Sequence, residues 1–286
     1  MRQKFTPAFL LALTVSIPAA RAADCDRECL RGVITQYLNA MVAHKPGSLP
    51  VSDKVRFTED AVTMKLGEGL WKNVSGLGNY RQDILDAAQG VAASQVIVEE
   101  SGMPVMLVLR LKVVDRKITE AETQVTRSRA EGAIFNIANI KTPNKAMNVV
   151  PERGQINSRA DAIRIAELYP AGLKTGSFAE VNAPFASDAY RIENGTVTAG
   201  VGCGRAGCEN MKTQTIMKHP AVSSRVAAVD EEMGIVLLRM NFGDTGSYGP
   251  GNALIVWEAF KVYGGQIHAV EAFMRVMPAT TPSGWD

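Results

Sequence analysis

The sequence predicts an α+β protein built from two similar halves in tandem. One stretch appears twice: Leu111 to Glu122 (LKVVDRKITEAE) lies against Phe260 to Glu271 (FKVYGGQIHAVE), with Lys, Val, Ile and Glu recurring in register. Each copy reads as strand, tight polar turn, strand, because β-branched and aromatic residues flank Asp115-Arg116 or Gly264-Gly265. A second echo comes earlier in each half. Phe57-Thr58-Glu59-Asp60-Ala61 followed by Gly67 matches Phe185-Ala186-Ser187-Asp188-Ala189 followed by Gly195. Both echoes keep the same order, and each pair is preceded by a helical pattern, so the chain reads as an internal duplication. Helix first and then a run of strands, done twice, defines α+β.

The elements follow in chain order. Over residues 26–43, Leu30, Val33, Ile34, Tyr37, Leu38, Met41 and Val42 form one wide apolar stripe at helical spacing. Asp26 can cap this helix and Pro46-Gly47 marks its end, with His44 in the exit turn. Val55 to Met64 reads as a short helix or turn and then a strand, and Asn79 to Ala88 as a short helix. Ser94 to Glu99, Val105 to Val114 and Ile118 to Val125 read as strands; Val105, Leu107, Leu109, Leu111 and Val113 share one apolar face. Residues 128–157 join the halves, with one short strand expected around Ile134 to Ile140. Ser158 opens a second helix that Pro170 is expected to cut short. After Phe185 to Ile192 and the glycine- and cysteine-rich loop Val201 to Cys208, a short helix is expected over Asn210 to Lys218. Strands follow at Ser224 to Val229, Gly234 to Phe242, Ala253 to Val262 and Ile267 to Val276; the loop Gly243 to Gly251 has no counterpart in the first half.

The expected organisation is therefore a leader over 1–22, a first half over 23–127, a connector over 128–157 and a second half over 158–286. The leader reading rests on Arg2 and Lys4, the apolar run Phe9 to Ile17, and Ala20-Arg21-Ala22, which is the layout of a secretory signal peptide cleaved after Ala22. That run is too short to span a bilayer. The expected location is periplasmic or secreted. Removing the leader takes away three of 31 basic residues, leaving 28 against 29 acidic ones. A near-neutral chain offers no electrostatic case for nucleic acid or an anionic membrane. Cys25/Cys29 and Cys203/Cys208 are two local pairs. In an oxidising compartment disulfides within each pair are expected. Zinc is the competing reading, disfavoured because the spacings are not Cys-x-x-Cys and no His lies near either pair.

The long amphipathic helix, the Phe-x-x-Asp-Ala segment and the closing hairpin resemble the SnoaL-like branch of the NTF2-like superfamily. Cys25-Asp26-Arg27-Glu28-Cys29-Leu30, Arg56-Phe57-Thr58-Glu59, Gly67-Glu68-Gly69-Leu70-Trp71, Val229 to Val236 and Pro282-Ser283-Gly284-Trp285 resemble, more specifically, the secreted DUF8021 family. The resemblance implies two cone-shaped domains, each a curved, mostly antiparallel sheet wrapped by helices, packed as a covalent pseudo-dimer and hence a monomer. It implies an apolar pocket for a small molecule and proton-transfer chemistry without a cofactor or metal. Superfamily members include ketosteroid isomerases, dehydratases, aldol cyclases and lyases that act on lignin-derived dimers.

The duplication singles out one candidate. By the hairpin alignment Glu258 takes the place of Leu109 and interrupts the apolar stripe Leu254, Val256, Phe260, Val262. A desolvated carboxylate there has its pKa raised, which suits a general acid or base; the structural alternative is a pair with Arg239. His268, in the place of Thr119, and Tyr80 are expected to assist, with Trp71, Arg81, Trp257 and Arg239 as substrate-binding residues. Glu122 with Glu271 and Asp60 with Asp188 are weaker candidates, since a residue repeated in both halves suits a structural role, and His219, before Pro220, is another. The expected function is a cofactor-independent lyase or isomerase acting on a small aromatic molecule of the lignin-derived kind. A non-enzymatic binding protein using the same pocket is the alternative, and a cone filled by side chains a third.

Overall fold

The computed structural model describes residues 25–143 and 145–284. The leader and Trp285 lie outside the described residues. The elements in order are α1 (Arg27–Val42), β1 (Val51–Glu59), β2 (Val62–Met64), β3 (Val74–Asp86), β4 (Val91–Glu100), β5 (Met103–Val114) and β6 (Lys117–Thr126). The connector holds two single turns, α2 (Arg129–Gly132) and α3 (Lys145–Asn148). Then come α4 (Arg159–Thr175), β7 (Phe185–Glu193), β8 (Thr196–Ala199), β9 (Ser223–Asp230), β10 (Ile235–Asn241), β11 (Asn252–Tyr263) and β12 (Gln266–Pro278).

The strands make two six-stranded sheets, ordered β2-β1-β6-β5-β4-β3 and β8-β7-β12-β11-β10-β9. The second order repeats the first element by element. All pairings are antiparallel except β1 with β6 and β7 with β12. One long helix packs on each sheet, α1 on β3 and β4, α4 chiefly on β9 and β11. This is the layout the NTF2-like resemblance implied. In α1 the stripe Leu30, Ile34, Tyr37, Leu38 and Met41 is buried, each large side chain contributing about 1.5–3 kcal/mol by leaving water. Asp26 caps it by accepting the Cys29 backbone N–H, and Ser158 caps α4 through the Asp161 N–H.

Five local expectations are corrected. Residues 79–86 belong to strand β3, not a helix: Tyr80, Gln82 and Ile84 are buried alternately with half-buried Arg81 and Asp83, a period of two. Gly78 within β3 lets the strand approach β4, since a Cβ there would meet the Ile97 backbone oxygen at 3.0 Å. Val51 to Glu59 is strand throughout because it pairs with β6 on one side and β2 on the other. The connector and residues 210–218 carry turns where a strand and a helix were expected. Pro170 sits inside α4 without ending it. Ala166, Tyr169 and Leu173 keep one buried face across it, and the helix stops only at Gly176, whose φ of +84° is the left-handed cap conformation.

The register also corrects the second sequence echo. Phe57 pairs with Ala121, and Arg191 pairs with Val270, the residue matching Ala121 in the repeated hairpin. Phe57 therefore corresponds to Arg191, not to Phe185. The true echo is Glu59-Asp60-Ala61 with Glu193-Asn194-Gly195. Asp60 N–H donates to the Thr123 carbonyl and its Oδ1 accepts the Val125 N–H; Asn194 does the same with Ala272 and Met274. Both residues are left-handed, at φ +51° and +43°. Asp60 and Asn194 are thus shared turn residues. At the next position Ala61 has φ +63° and Gly195 φ +80°. Only Gly195 is crowded, with an added Cβ falling 2.2 Å from the Asn136 backbone oxygen. Gly195→Ala is expected to cost about 1–3 kcal/mol by thermal melting, whereas Ala61→Gly should be neutral or stabilising; equal effects would mean the connector does not pack against this turn.

The halves meet sheet to sheet. Their contact layer holds Ile84, Met106 and Val108 from one half and Leu237, Trp257 and Phe273 from the other. Each half keeps its own core on the opposite face of its sheet, beneath its helix. Two disulfides, Cys25–Cys29 and Cys203–Cys208, close the local pairs.

Candidate active site

Ladder positions compare the two cores directly. In the first half Tyr37, Trp71, Phe57 and Leu109 fill the space between α1 and the sheet, and Trp71 Nε1 donates to the Tyr37 hydroxyl at 3.0 Å. In the second half Tyr169 of α4 remains, but Arg191 replaces Phe57 and Glu258 replaces Leu109. An apolar core has been exchanged for a charged one. Beside it opens a pocket of about 470 Å³ walled by Tyr169, Arg191, Glu193, His219, Phe242 and Tyr248, among others. That volume is in the range of small-molecule sites.

Arg191 is 6 % exposed and held on all sides. Its Nε donates to Thr198 Oγ1 at 2.8 Å, Nη1 to the Tyr169 hydroxyl at 3.0 Å and Nη2 to Gln214 Oε1 at 3.3 Å. Glu193 lies 3.6 Å from Nε. Burial works against its charge, but Glu193, Tyr169 and Glu258 outweigh that and raise its pKa. Glu258 is fully buried, and no well-formed hydrogen bond reaches either carboxylate oxygen among the described residues; the Tyr169 hydroxyl is the donor that faces it. Burial first, and then the negative charge of Glu193, push its pKa up to about 8 against the opposing pull of Arg191. Near neutral pH it is mostly the uncharged acid. Glu258 does not itself wall the pocket; Tyr169 and Arg191 stand there.

His219 is 3 % exposed, and its Nδ1 has no hydrogen-bond partner among the described residues. Its ring lies 4.7 Å from that of Phe242 and stacks at 6.5 Å on that of Tyr248. Burial lowers its pKa, opposed by the Phe242 backbone and by Glu193. Burial thus favours the neutral imidazole.

The remaining sequence candidates are not brought to this pocket. His268 stacks on Tyr263 at 3.6 Å near the β11–β12 turn, its Nε2 3.1 Å from the Tyr263 carbonyl. Tyr80 lies between the halves, donating to Glu271 Oε2 at 3.2 Å. Trp71 is in the first-half core. Arg81 is tied to Asp83 at 2.8 Å and to Thr35 at 2.9 Å. Trp257 is buried between the sheets, flanked by Arg225 and Arg239 at 5.7 and 5.9 Å from its ring. Arg239 pairs with Glu122 at 3.6 Å, not with Glu258, because adjacent strand residues face opposite sides of the sheet. Glu122 and Glu271 both work in this layer. Tyr169, Arg191 and Glu193 escaped the sequence reading as site residues, since the displaced echo set Arg191 against Thr63. Aligning Glu59-Asp60 on Glu193-Asn194 would have exposed the exchange of Phe57 for Arg191.

The described residues form an α+β chain of two like halves, with a pocket of small-molecule size in the second. Residues 155–274 match the family model described as DUF8021, a domain of unknown function. No curated protein matches the chain. Among solved structures, a de novo designed protein with a curved β-sheet is similar at 22% identity, over 35% of this chain and 88% of that one, with a TM-score of 0.31. A Kribbella flavida DSM 17836 protein, provisionally assigned as a ketosteroid isomerase, is similar at 14% identity over 48% of this chain and 96% of that one, with a TM-score of 0.30.

Proposed function

We propose that the second half is a cofactor-independent proton-transfer site, a lyase or isomerase acting on a small aromatic molecule. The carrying observation is the replacement of Phe57 and Leu109 by Arg191 and Glu258 beside an open pocket. Charges so placed cost stability, and an exported domain keeps them where they serve chemistry. The sister half fills the same space with apolar residues.

The sequence reading made Glu258 the base. A base needs to come within hydrogen-bond reach of its proton, directly or through one water. Behind Tyr169 and Arg191, Glu258 is better placed to act through them as a positioning group. Of the titratable groups on the wall, His219 is the one suited to accept the proton near neutral pH, with Glu193 beside Arg191 to balance charge. The disulfides support action in an oxidising, exported compartment.

The test is turnover. Purified protein is offered lignin-type diaryl dimers and ketosteroids without added metal, and formaldehyde and the ultraviolet spectrum are followed. Formaldehyde with a new conjugated chromophore supports a lyase; a spectral shift alone supports isomerisation or dehydration. His219→Ala and Glu258→Gln are each expected to lower the rate about 10²–10⁴-fold. The seclusion of Glu258 favours a second reading, a binding protein. That reading predicts a ligand-induced rise in melting temperature with no product from any compound.

A further inference from the structure

We propose that Arg205 selects the ligand of this pocket, and that the ligand is a monocarboxylate carried on an apolar, ring-sized body. This rests on the second-half pocket being the ligand site and adds the class of molecule it takes. Arg205 is exposed and lines the pocket, so its guanidinium stands at the rim. Its Nη2 donates to the Thr215 carbonyl at 3.4 Å, and it has no ion pair among the described residues. Every other charge on the wall is answered: Arg191 by Thr198, Tyr169, Gln214 and Glu193. Two guanidinium groups against one carboxylate leave the wall with a single uncompensated positive charge.

The chain holds that charge in place. Cys203 and Cys208 bracket Arg205 and are joined by a disulfide, with Cα atoms 6.1 Å apart. The loop is rooted at Gly200, whose N–H donates to the Cys208 carbonyl at 2.8 Å. Gly200 has φ +87°, and a Cβ there would lie 2.8 Å from the Tyr190 Cα, so the loop base sits hard against β7. A cation on a stapled loop loses less freedom on binding than one on a free loop. Below it the wall is apolar, with Leu173, Ile216, Phe242, Leu254 and Met274. A ring system lying among these carries a carboxylate at its upper edge to Arg205, where the planar fork of the guanidinium meets it. A dianion such as a phosphate monoester would exceed the one free charge.

The experiment is calorimetric titration of the intact protein at pH 7 with 2-naphthoate and its neutral isostere 2-naphthamide. Naphthoate is expected to bind about ten-fold more tightly. Arg205→Gln should abolish the preference by weakening naphthoate alone, and Arg205→Lys should restore part of it. Replacing both Cys203 and Cys208 by Ser should weaken naphthoate and leave naphthamide unchanged. Thr196→Trp, which fills the pocket from β8, should abolish binding of both. Equal affinity for the two probes, or a preference that survives Arg205→Gln, overturns the role of Arg205 while the pocket reading stands. Binding of neither probe, or binding indifferent to Thr196→Trp, overturns the pocket reading and this proposal with it.

Discussion

Glu258→Leu is expected to make the protein more stable at pH 7–8, by about 1–4 kcal/mol. The substitution installs at this position the residue that the first half already carries, Leu109, in the same strand and ladder position. It removes a fully buried carboxyl that only the Tyr169 hydroxyl faces as a donor, without a well-formed bond, and Arg191 keeps Glu193, Thr198, Tyr169 and Gln214. The sign of the pH dependence follows from linkage. The folded pKa of about 8 lies above the ordinary value of 4.5. Below pH 4.5 the group is protonated in both states and contributes no pH-dependent difference. Between 4.5 and 8 the unfolded chain releases the proton while the folded chain holds it, so stability falls as pH rises and levels off above 8. The gap in melting temperature between Glu258→Leu and the parent should therefore widen from pH 4.5 to 8 and then stay constant. A variant that melts lower at every pH would mean the carboxyl is satisfied in solution. A more stable protein that has lost turnover is the signature of a site kept at the expense of stability.

The sequence disclosed the plan more fully than the site, for a physical reason. Periodicity reports burial: the stripe on α1 and the apolar face of β5 were plain because each residue pattern matches its own element's period. The repeated hairpin was legible because both copies bury the same face. Glu258 was legible because one carboxylate interrupts such a face. Tyr80 misled because β3 alternates only weakly near its glycines, and its side chain goes to the layer between the halves, which no local pattern announces. Trp257, next to Glu258 in β11, faces the other way by strand alternation, and there it meets Arg239 and the contact layer. Arg191 was hidden, and the placing of His219 on the pocket wall was not foreseeable, for another reason. One depends on a ladder register set by β12, the other on a loop folded over the cone, and both are long-range facts.

Asp86→Ala is expected to cost about 3 kcal/mol in global stability, more than any substitution in the contact layer's periphery. Asp86 ends β3 and Asp230 ends β9, at equivalent ladder positions, Asp86 opposite Val91 and Asp230 opposite Ile235. Each carboxylate reaches into the other half. Asp86 Oδ2 accepts the Val229 N–H at 2.8 Å, and Asp230 Oδ2 accepts the Leu85 N–H at 3.0 Å. Each also receives an arginine from the first position of the other half's helix. Arg159 binds Asp86 through two nitrogens at 2.9 and 2.6 Å, and Arg27 binds Asp230 at 2.5 Å. The contact is self-complementary, as in a twofold dimer whose subunits have been fused. Both carboxyls are buried, at 1 % and 0 % exposure, so truncating Asp86 strands the buried Val229 N–H and takes the closest partner from Arg159, which keeps Glu231 at 3.6 Å. Asp86→Asn keeps an acceptor for Val229 and should cost about 1 kcal/mol. Arg159→Ala should cost much less in the Asp86→Ala background than in the parent, since the pair acts as one unit. An unchanged melting temperature for Asp86→Ala would show that the apolar layer alone joins the halves. The expected loss would show instead that the two carboxylates fix how the sheets face one another, and so the frame on which the second-half pocket is built.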